Sequence, residues 1–327
     1  MSGNLLRLSE AQRLTEAGRY QEALDYLVSD SEADLGHSPT LALLCGSANA
    51  RLGRDEEAER WVRLALELAT ERGDRAIEAR ALNLCGAIAL EAGRLNQAEG
   101  YFMRGLDAAR RLNDHATSGR CFNNLGIISD QRSEYSQAES WYRLALVSYQ
   151  QAGLERGIAE THHNLAMTHL AEGSYKRALS EADHAVLEAD KLGDLSLAAL
   201  TLSGRAEIRV LDGDAAFARG EVERALANRR EIGDVVGQAQ DERILGMALA
   251  AGGELLEAEE LLRRVITKAE ELGRPHLAAT ASRELADVLK RAGRMVEAKV
   301  VARETQRRFE SLGAFSDAEK LEGFIEN

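Results

Sequence analysis

The sequence has 327 residues, of which 45% are hydrophobic and 29% charged, and this balance favours a packed core over global disorder. Its net charge is −13 and only 5% of its residues are aromatic, so we expect neither nucleic acid nor a membrane as its partner. No apolar run reaches the ~20 residues that span a bilayer, and the first residues lack a signal peptide. With three cysteines, an odd number, these features predict a reduced, cytoplasmic protein.

Glycines recur along the chain at intervals of 40 or 80 residues. One series is Gly53, Gly93, Gly173, Gly213, Gly253 and Gly293, and an alanine follows each member five residues later. A second series is Gly73, Gly153, Gly193, Gly233, Gly273 and Gly313. Ser133 and Asn113 stand where each series lacks a glycine. Because Asn also adopts the left-handed conformation of a helix C-cap, the second series predicts the same turn geometry at Asn113.

The unit of 40 residues predicts a helical hairpin. Helix A covers about the first 14 positions, a tight turn follows, and helix B runs to the capping glycine of the second series. The first unit is shorter and ends before Ser38-Pro39, a pair suited to begin a helix. We predict a single solenoid over 1–327, with repeats at about 4–37, 39–78, 79–118, 119–158, 159–198, 199–238, 239–278 and 279–314, and a capping helix at 315–327.

These repeats resemble the tetratricopeptide repeat. The pattern of Leu-Gly, a spaced Ala and an Ala-Leu pair stands in Leu125-Gly126, Ala138 and Ala145-Leu146. The resemblance implies an all-α fold, a right-handed superhelix (α-solenoid) of about eight hairpins. The 40-residue form is similar to the repeats of kinesin light chains, cell-polarity adaptors, bacterial peptide-pheromone receptors and MalT-like regulators, which implies a peptide or protein ligand in the groove. Since the repeats begin within the first residues, we do not expect the DNA-binding domain of the bacterial regulators.

One face of each helix A is predicted to line the groove. At 100° per residue, positions 2, 5, 6, 9, 12 and 13 of a unit share one arc, and in the tetratricopeptide fold this arc faces the concave side. From the third unit onward it gives the candidate peptide-binding residues Arg80, Asn83, Arg120, Asn123, Asn124, Gln131, Glu160, His163, Asn164, Met167, Gln240, Arg243, Arg283, Asp287 and Lys290.

The asparagines are the most specific members of this set. Asn123-Asn124-Leu125-Gly126 and Asn164-Leu165-Ala166 are similar to the pattern of peptide-binding helices in the family, with alanine for glycine in the second. A carboxamide can pair with both groups of an extended peptide backbone, and asparagine is a poor helix former. The alternative is that these amides are solvated or bond to a neighbouring helix.

The arginines on this face can fork onto ligand carboxylates. Those concerned are Arg80, Arg120, Arg243 and Arg283. The alternative is that they pair with acids of the groove itself, such as Glu160 or Glu207.

Other clusters point away from catalysis and metal binding. His162 and His169 fall on the core-facing arc and His163 on the groove arc, so one helix cannot direct all three at one ion. Arg205 and Arg209 take core positions, and we expect adjacent repeats to pair them with an acid such as Glu242. We predict no metal, no cofactor, no catalytic residue and no enzyme activity.

The sequence therefore predicts a non-catalytic adaptor that binds a peptide segment of a partner protein. One alternative is a self-assembling scaffold, in which a terminal repeat of one chain docks into the groove of another. The other is a regulatory subunit of a separately encoded enzyme, which would use the convex or edge surfaces.

Overall fold

The computed structural model describes residues 2–16, 18–28 and 37–326. In these ranges the chain forms seventeen α-helices and no strand, which confirms the predicted all-α fold. They are α1 Ser2–Glu16, α2 Tyr20–Val28, α3 Pro39–Arg51, α4 Asp55–Arg72, α5 Arg75–Glu91, α6 Leu95–Arg111, α7 His115–Gln131, α8 Tyr135–Ala152, α9 Glu155–Ala171, α10 Tyr175–Leu192, α11 Leu195–Leu211, α12 Ala215–Glu231, α13 Val235–Gly252, α14 Leu255–Glu271, α15 Pro275–Arg291, α16 Met295–Ser311 and α17 Phe315–Glu326.

The helices alternate between the A and B types of the predicted hairpin, and odd-numbered helices from α3 to α15 are A helices. They group into two compact units, Met1–Thr161 and His162–Asn327. Part of the predicted first repeat, 4–37, lies outside the described residues. The single solenoid over 1–327, with its repeat boundaries, stays a prediction. Along the described ranges, no helix combines the length and the apolar character that crossing a membrane requires.

The turns between helices depend on left-handed residues. Gly73 and Gly93 have φ angles of 68° and 71°, and Asn113 and Ser133 adopt 55° and 60° at the equivalent places. In four units an aspartate follows the second turn and caps the next helix A. The side chains of Asp74 and Asp114, for example, accept hydrogen bonds from backbone N–H groups three residues on, at 3.1 and 2.9 Å. The Gly-Asp and Asn-Asp pairs thus end one helix and begin the next.

Small residues let the two helices of a hairpin pack closely. The alanines of helix B, such as Ala98 and Ala138, are fully buried. Opposite them, a Cβ atom placed on Gly126 would lie 2.5 Å from the ring of Tyr142. This ring is held in place, because the Tyr142 hydroxyl donates to Asp130 at 2.7 Å. The close approach of α7 and α8 therefore requires glycine at position 126.

The Gly126→Ala variant is expected to lose about 1–3 kcal/mol of unfolding free energy, because its methyl group overpacks a core that cannot yield. Gly100→Ala is the matched control, since a Cβ there meets no atom within 4 Å and α6 continues through it. This control should gain about 0.5–1 kcal/mol from a stiffer unfolded chain. Urea denaturation followed by circular dichroism measures both, and equal midpoints for the two variants would contradict the packing argument.

The cysteines and tryptophans behave as core residues. Cys45, Cys85 and Cys121 are buried, and desolvation raises their pKa values to about 12, about 11 and about 12. Trp61 is buried in the core of its unit, and Trp141 stacks on Phe122 with ring centroids 5.8 Å apart.

Candidate functional site

The described part of Met1–Thr161 contains a cavity of about 640 Å³ on the A-helix side, which we call the A-helix cavity. It takes one face from each of α1, α3 and α5, with one residue of α2 and two from the first turns of α7. The lining residues are Leu8, Gln12, Thr15, Tyr20, Thr40, Leu43, Leu44, Ser47, Ala50, Arg51, Arg80, Asn83, Leu84, Ala87, Ile88, Glu91, Thr117 and Arg120.

The lining follows the helical arc derived from the sequence. In α3 the six lining residues are those at positions 2, 5, 6, 9, 12 and 13 of the second unit. Among the predicted site residues, the structure brings Arg80, Asn83 and Arg120 together in this cavity. It adds Arg51, at position 13, which is not among the predicted residues. Applying the same arc to the second unit would have found it.

Two asparagines of neighbouring A helices contact each other beside the cavity. The Asn124 amide donates to Oδ1 of Asn83 at 3.4 Å, and the Thr161 hydroxyl donates to Oδ1 of Asn123 at 3.2 Å. The alternative left open in the sequence, bonding to a neighbouring helix, is therefore present. The Asn83 side-chain amino group and the Asn124 carbonyl make no further hydrogen bond among the described residues.

Two other predicted residues of this unit, Gln131 and Glu160, do not line the cavity. Gln131 is exposed at the end of α7. Glu160 accepts from Nε of Arg156 at 2.8 Å. Among the described residues Glu160 forms no ion pair with Arg80 or Arg120, so it is not the partner that the sequence had suggested as an alternative.

In His162–Asn327, Arg243 is a buried ion-pair residue rather than a free groove residue. It is 2% exposed, and its guanidinium lies 2.5 Å from Glu207 and 3.3 Å from Glu284. It also approaches Sδ of Met247 at 3.2 Å. Arg283 pairs with Asp317 at 3.2 Å and with Glu284 at 3.3 Å. For both arginines, the alternative of pairing within the protein holds.

The other predicted residues of this unit differ in their exposure. His163 packs against Gly204, and desolvation lowers its pKa to about 4, so the imidazole is neutral at pH 7. Asn164, Met167 and Gln240 are partly buried. Asp287 and Lys290 are exposed, and the Lys290 ammonium lies 4.8 Å from the centroid of the Phe324 ring.

The charged residues at core positions of α11 form ion pairs, although not with the expected acid. Arg205 and Arg209 share Glu221, at 2.7 and 3.2 Å. The suggestion of Glu242 was wrong, because that carboxylate lies 3.5 Å from the Lys268 ammonium. The reason is that Glu221 belongs to the B helix of the same hairpin, which packs directly on this face of α11.

The histidines of α9 contact separate carboxylates. Nδ1 of His162 lies 2.7 Å from Glu181, and Nδ1 of His169 lies 3.2 Å from Glu172. Within the described ranges, no three His, Cys, Asp or Glu side chains converge as metal ligands.

A buried polar cluster in α11, α12 and α13 was missed by sequence reasoning. Asp241 is fully buried, accepts from the Ser203 hydroxyl at 2.5 Å and lies 3.2 Å from Nε of Arg229. Arg229 also pairs with Asp234 at 2.5 Å. The only sequence signal was an aspartate inside helix A, at a position where the neighbouring units have Thr201 and Ala281.

Comparison with protein families identifies the hairpins. Residues 39–111 match the model of the tetratricopeptide repeat family, and this segment is α3 to α6, two complete A/B pairs. The chain therefore contains tetratricopeptide repeats. A search of curated proteins gave no match.

Solved structures of low sequence identity share the fold of this tetratricopeptide-repeat protein. A Rap protein complexed with Competence and Sporulation Factor has a TM-score of 0.67 at 15% identity, covering 100% of this chain and 98% of that one. The Rap conjugation gene regulator of plasmid pLS20, in complex with the Phr* peptide, has 0.68 at 14%, covering 86% and 76%. Aspartyl phosphate phosphatase F from Bacillus subtilis has 0.58 at 14%, covering 98% and 92%. At these identities the likeness shows the fold alone.

Proposed function

We propose that this tetratricopeptide-repeat protein is a non-catalytic, cytoplasmic adaptor that binds a peptide segment of a partner protein on the grooved face of its A helices. The observation that carries the proposal is the A-helix cavity, where apolar side chains, amides and guanidinium groups converge on one face. Two Rap proteins of this fold are complexed with Competence and Sporulation Factor and with the Phr* peptide, and these complexes support the same use of the fold.

The amides would hold the peptide backbone. The free amino group of Asn83 can donate to a peptide carbonyl, and the free carbonyl of Asn124 can accept from a peptide N–H. Their mutual hydrogen bond fixes both side chains before the ligand arrives, which lowers the entropy lost on binding. The other predicted residues remain proposed contacts of a peptide. They are Asn123, Gln131 and Glu160 and, in the other unit, His163, Asn164, Met167, Gln240, Asp287 and Lys290.

Apolar residues of the cavity would receive a side chain of the ligand. Leu43 and Leu44 of α3 and Leu84 and Ile88 of α5 line it. A cavity of this volume is within the range that accommodates small ligands, and here it has room for one or two large side chains. Side-chain amides that can pair with a peptide backbone, together with an apolar pocket, fit a linear segment better than a rigid folded surface.

The Asn83→Ala, Asn124→Ala double variant is expected to bind the partner about tenfold more weakly, since two hydrogen bonds of about 0.5–1.5 kcal/mol each are lost. Wild-type and variant baits are compared in affinity capture from the native host's lysate. The Kd for the captured segment is then measured by isothermal titration.

The matched control for this experiment is Gln97→Ala, Gln137→Ala, which removes two exposed amides from the B helices α6 and α8. We expect it to bind like wild type, and all three proteins to give the same circular dichroism. An unchanged Kd for the asparagine variant would move the interface to another surface. Recovery of the bait alone would favour the self-assembling scaffold.

A further inference from the structure

We infer that the A-helix cavity selects an acidic peptide, in which carboxylates flank a large apolar side chain, and that Arg51, Arg80 and Arg120 make this selection. The inference rests on the proposed function and names the chemistry of its ligand.

The charge of the cavity is opposite to that of the chain. The whole protein carries a net charge of −13, yet the charged residues of the lining are three arginines and one glutamate, Glu91. A concave surface with an excess of one sign of charge raises the local concentration of ligands of the other sign. A positive cavity on an acidic protein therefore discriminates between peptides by their charge.

These three guanidinium groups are free to bind. Arg51, Arg80 and Arg120 form no ion pair or side-chain hydrogen bond among the described residues. Many other arginines of the chain are paired, including Arg243 and Arg283 on the equivalent faces of α13 and α15. Like charges left unpaired around one cavity repel each other, and a bound carboxylate relieves this repulsion while it accepts two hydrogen bonds from one guanidinium.

The order of residues along the helices places apolar contacts between the charges. Arg80 stands at the beginning of the lining face of α5, and Arg51 at the end of that of α3. Leu43 and Leu44 precede Arg51, while Leu84 and Ile88 follow Arg80. The first and last lining residues of each of these two helices are eleven positions apart, which corresponds to about 16 Å along the helix axis. An extended peptide covers this distance with about five residues. The site thus fits a short segment with an apolar residue and acids on either side.

The test is a selection of random 12-residue peptides displayed on phage against three proteins. They are the wild-type full chain, the double cavity variant with Arg80→Glu and Arg120→Glu, and the double control variant with Arg110→Glu and Arg224→Glu. The control removes the same charge from exposed B-helix arginines outside the cavity. We expect wild type and control to enrich peptides in which Asp and Glu outnumber Lys and Arg around a large apolar residue, and the cavity variant to lose them.

Binding of the best peptide then separates charge from folding. For the double variant with Arg80→Ala and Arg120→Ala, the Kd of this peptide should rise at least tenfold, and added salt should weaken binding to wild type more than to this variant.

If the peptides selected on the wild-type protein have no excess of acidic residues, the inference is overturned and the proposed function stands. Acidic peptides retained equally by the cavity variant would overturn the assigned site. Enrichment of no peptide at all would overturn the proposed function, and the inference with it.

Discussion

Replacing Arg243 with alanine is expected to lower the unfolding free energy by about 3–5 kcal/mol. The guanidinium lies between Glu207 and Glu284, whose side chains are 19% and 14% exposed. Burial already raises the pKa of Glu284, and Arg243 opposes that rise. Without the arginine, two carboxylates face each other across the cavity left by its side chain.

Urea denaturation followed by circular dichroism measures this loss. Arg283→Ala is the comparison, because Arg283 also pairs with Glu284 but is 30% exposed, and exposed ion pairs contribute less than about 1 kcal/mol. A second variant, Arg243→Met with Glu207→Gln and Glu284→Gln, removes all three charges and should recover most of the loss. A change below about 1 kcal/mol for Arg243→Ala would show that water or other groups already neutralise these acids.

The second large effect is a stability that falls as the pH rises from about 4 to about 6, owing to Asp241. Burial raises the pKa of this carboxyl group from 3.8 to about 6, although Ser203 and Arg229 favour its charged form. The folded protein therefore holds the proton more tightly than the unfolded chain. The stabilising contribution of this proton is complete below the unfolded pKa and is lost as the pH rises through 6, and the total loss is about 3 kcal/mol.

Comparison with Asp241→Asn isolates this group, because asparagine does not titrate and every other group is common to both proteins. Unfolding free energies are measured by urea denaturation at pH 4, 5, 6 and 7. The free energy of wild type minus that of the variant should fall across this range and level off near pH 7. A difference that stays constant, or that grows with pH, would mean that Arg229 stabilises a charged carboxylate already at pH 4.

The repeating sequence determined the local structure. Glycine at each turn fixed where the helices end, and the rule extended to Asn113, whose φ of 55° matches that of the glycines. The small residue at Gly126 follows from how closely the two helices of one hairpin pack. Helical geometry also gave the lining face, including Arg80 and Asn83, because the angle about a helix axis depends on sequence spacing alone.

The tertiary structure decided which of those side chains are free. Arg80 and Arg243 lie on the same predicted arc, yet one is exposed at a cavity and the other is buried between Glu207 and Glu284. The same holds for Arg205, which pairs with Glu221 of its own hairpin. Helical periodicity gives the direction of a side chain but not its distance from acids one or two helices away. Because an ion pair forms only within about 4 Å, those distances separated the proposed binding surface from the core.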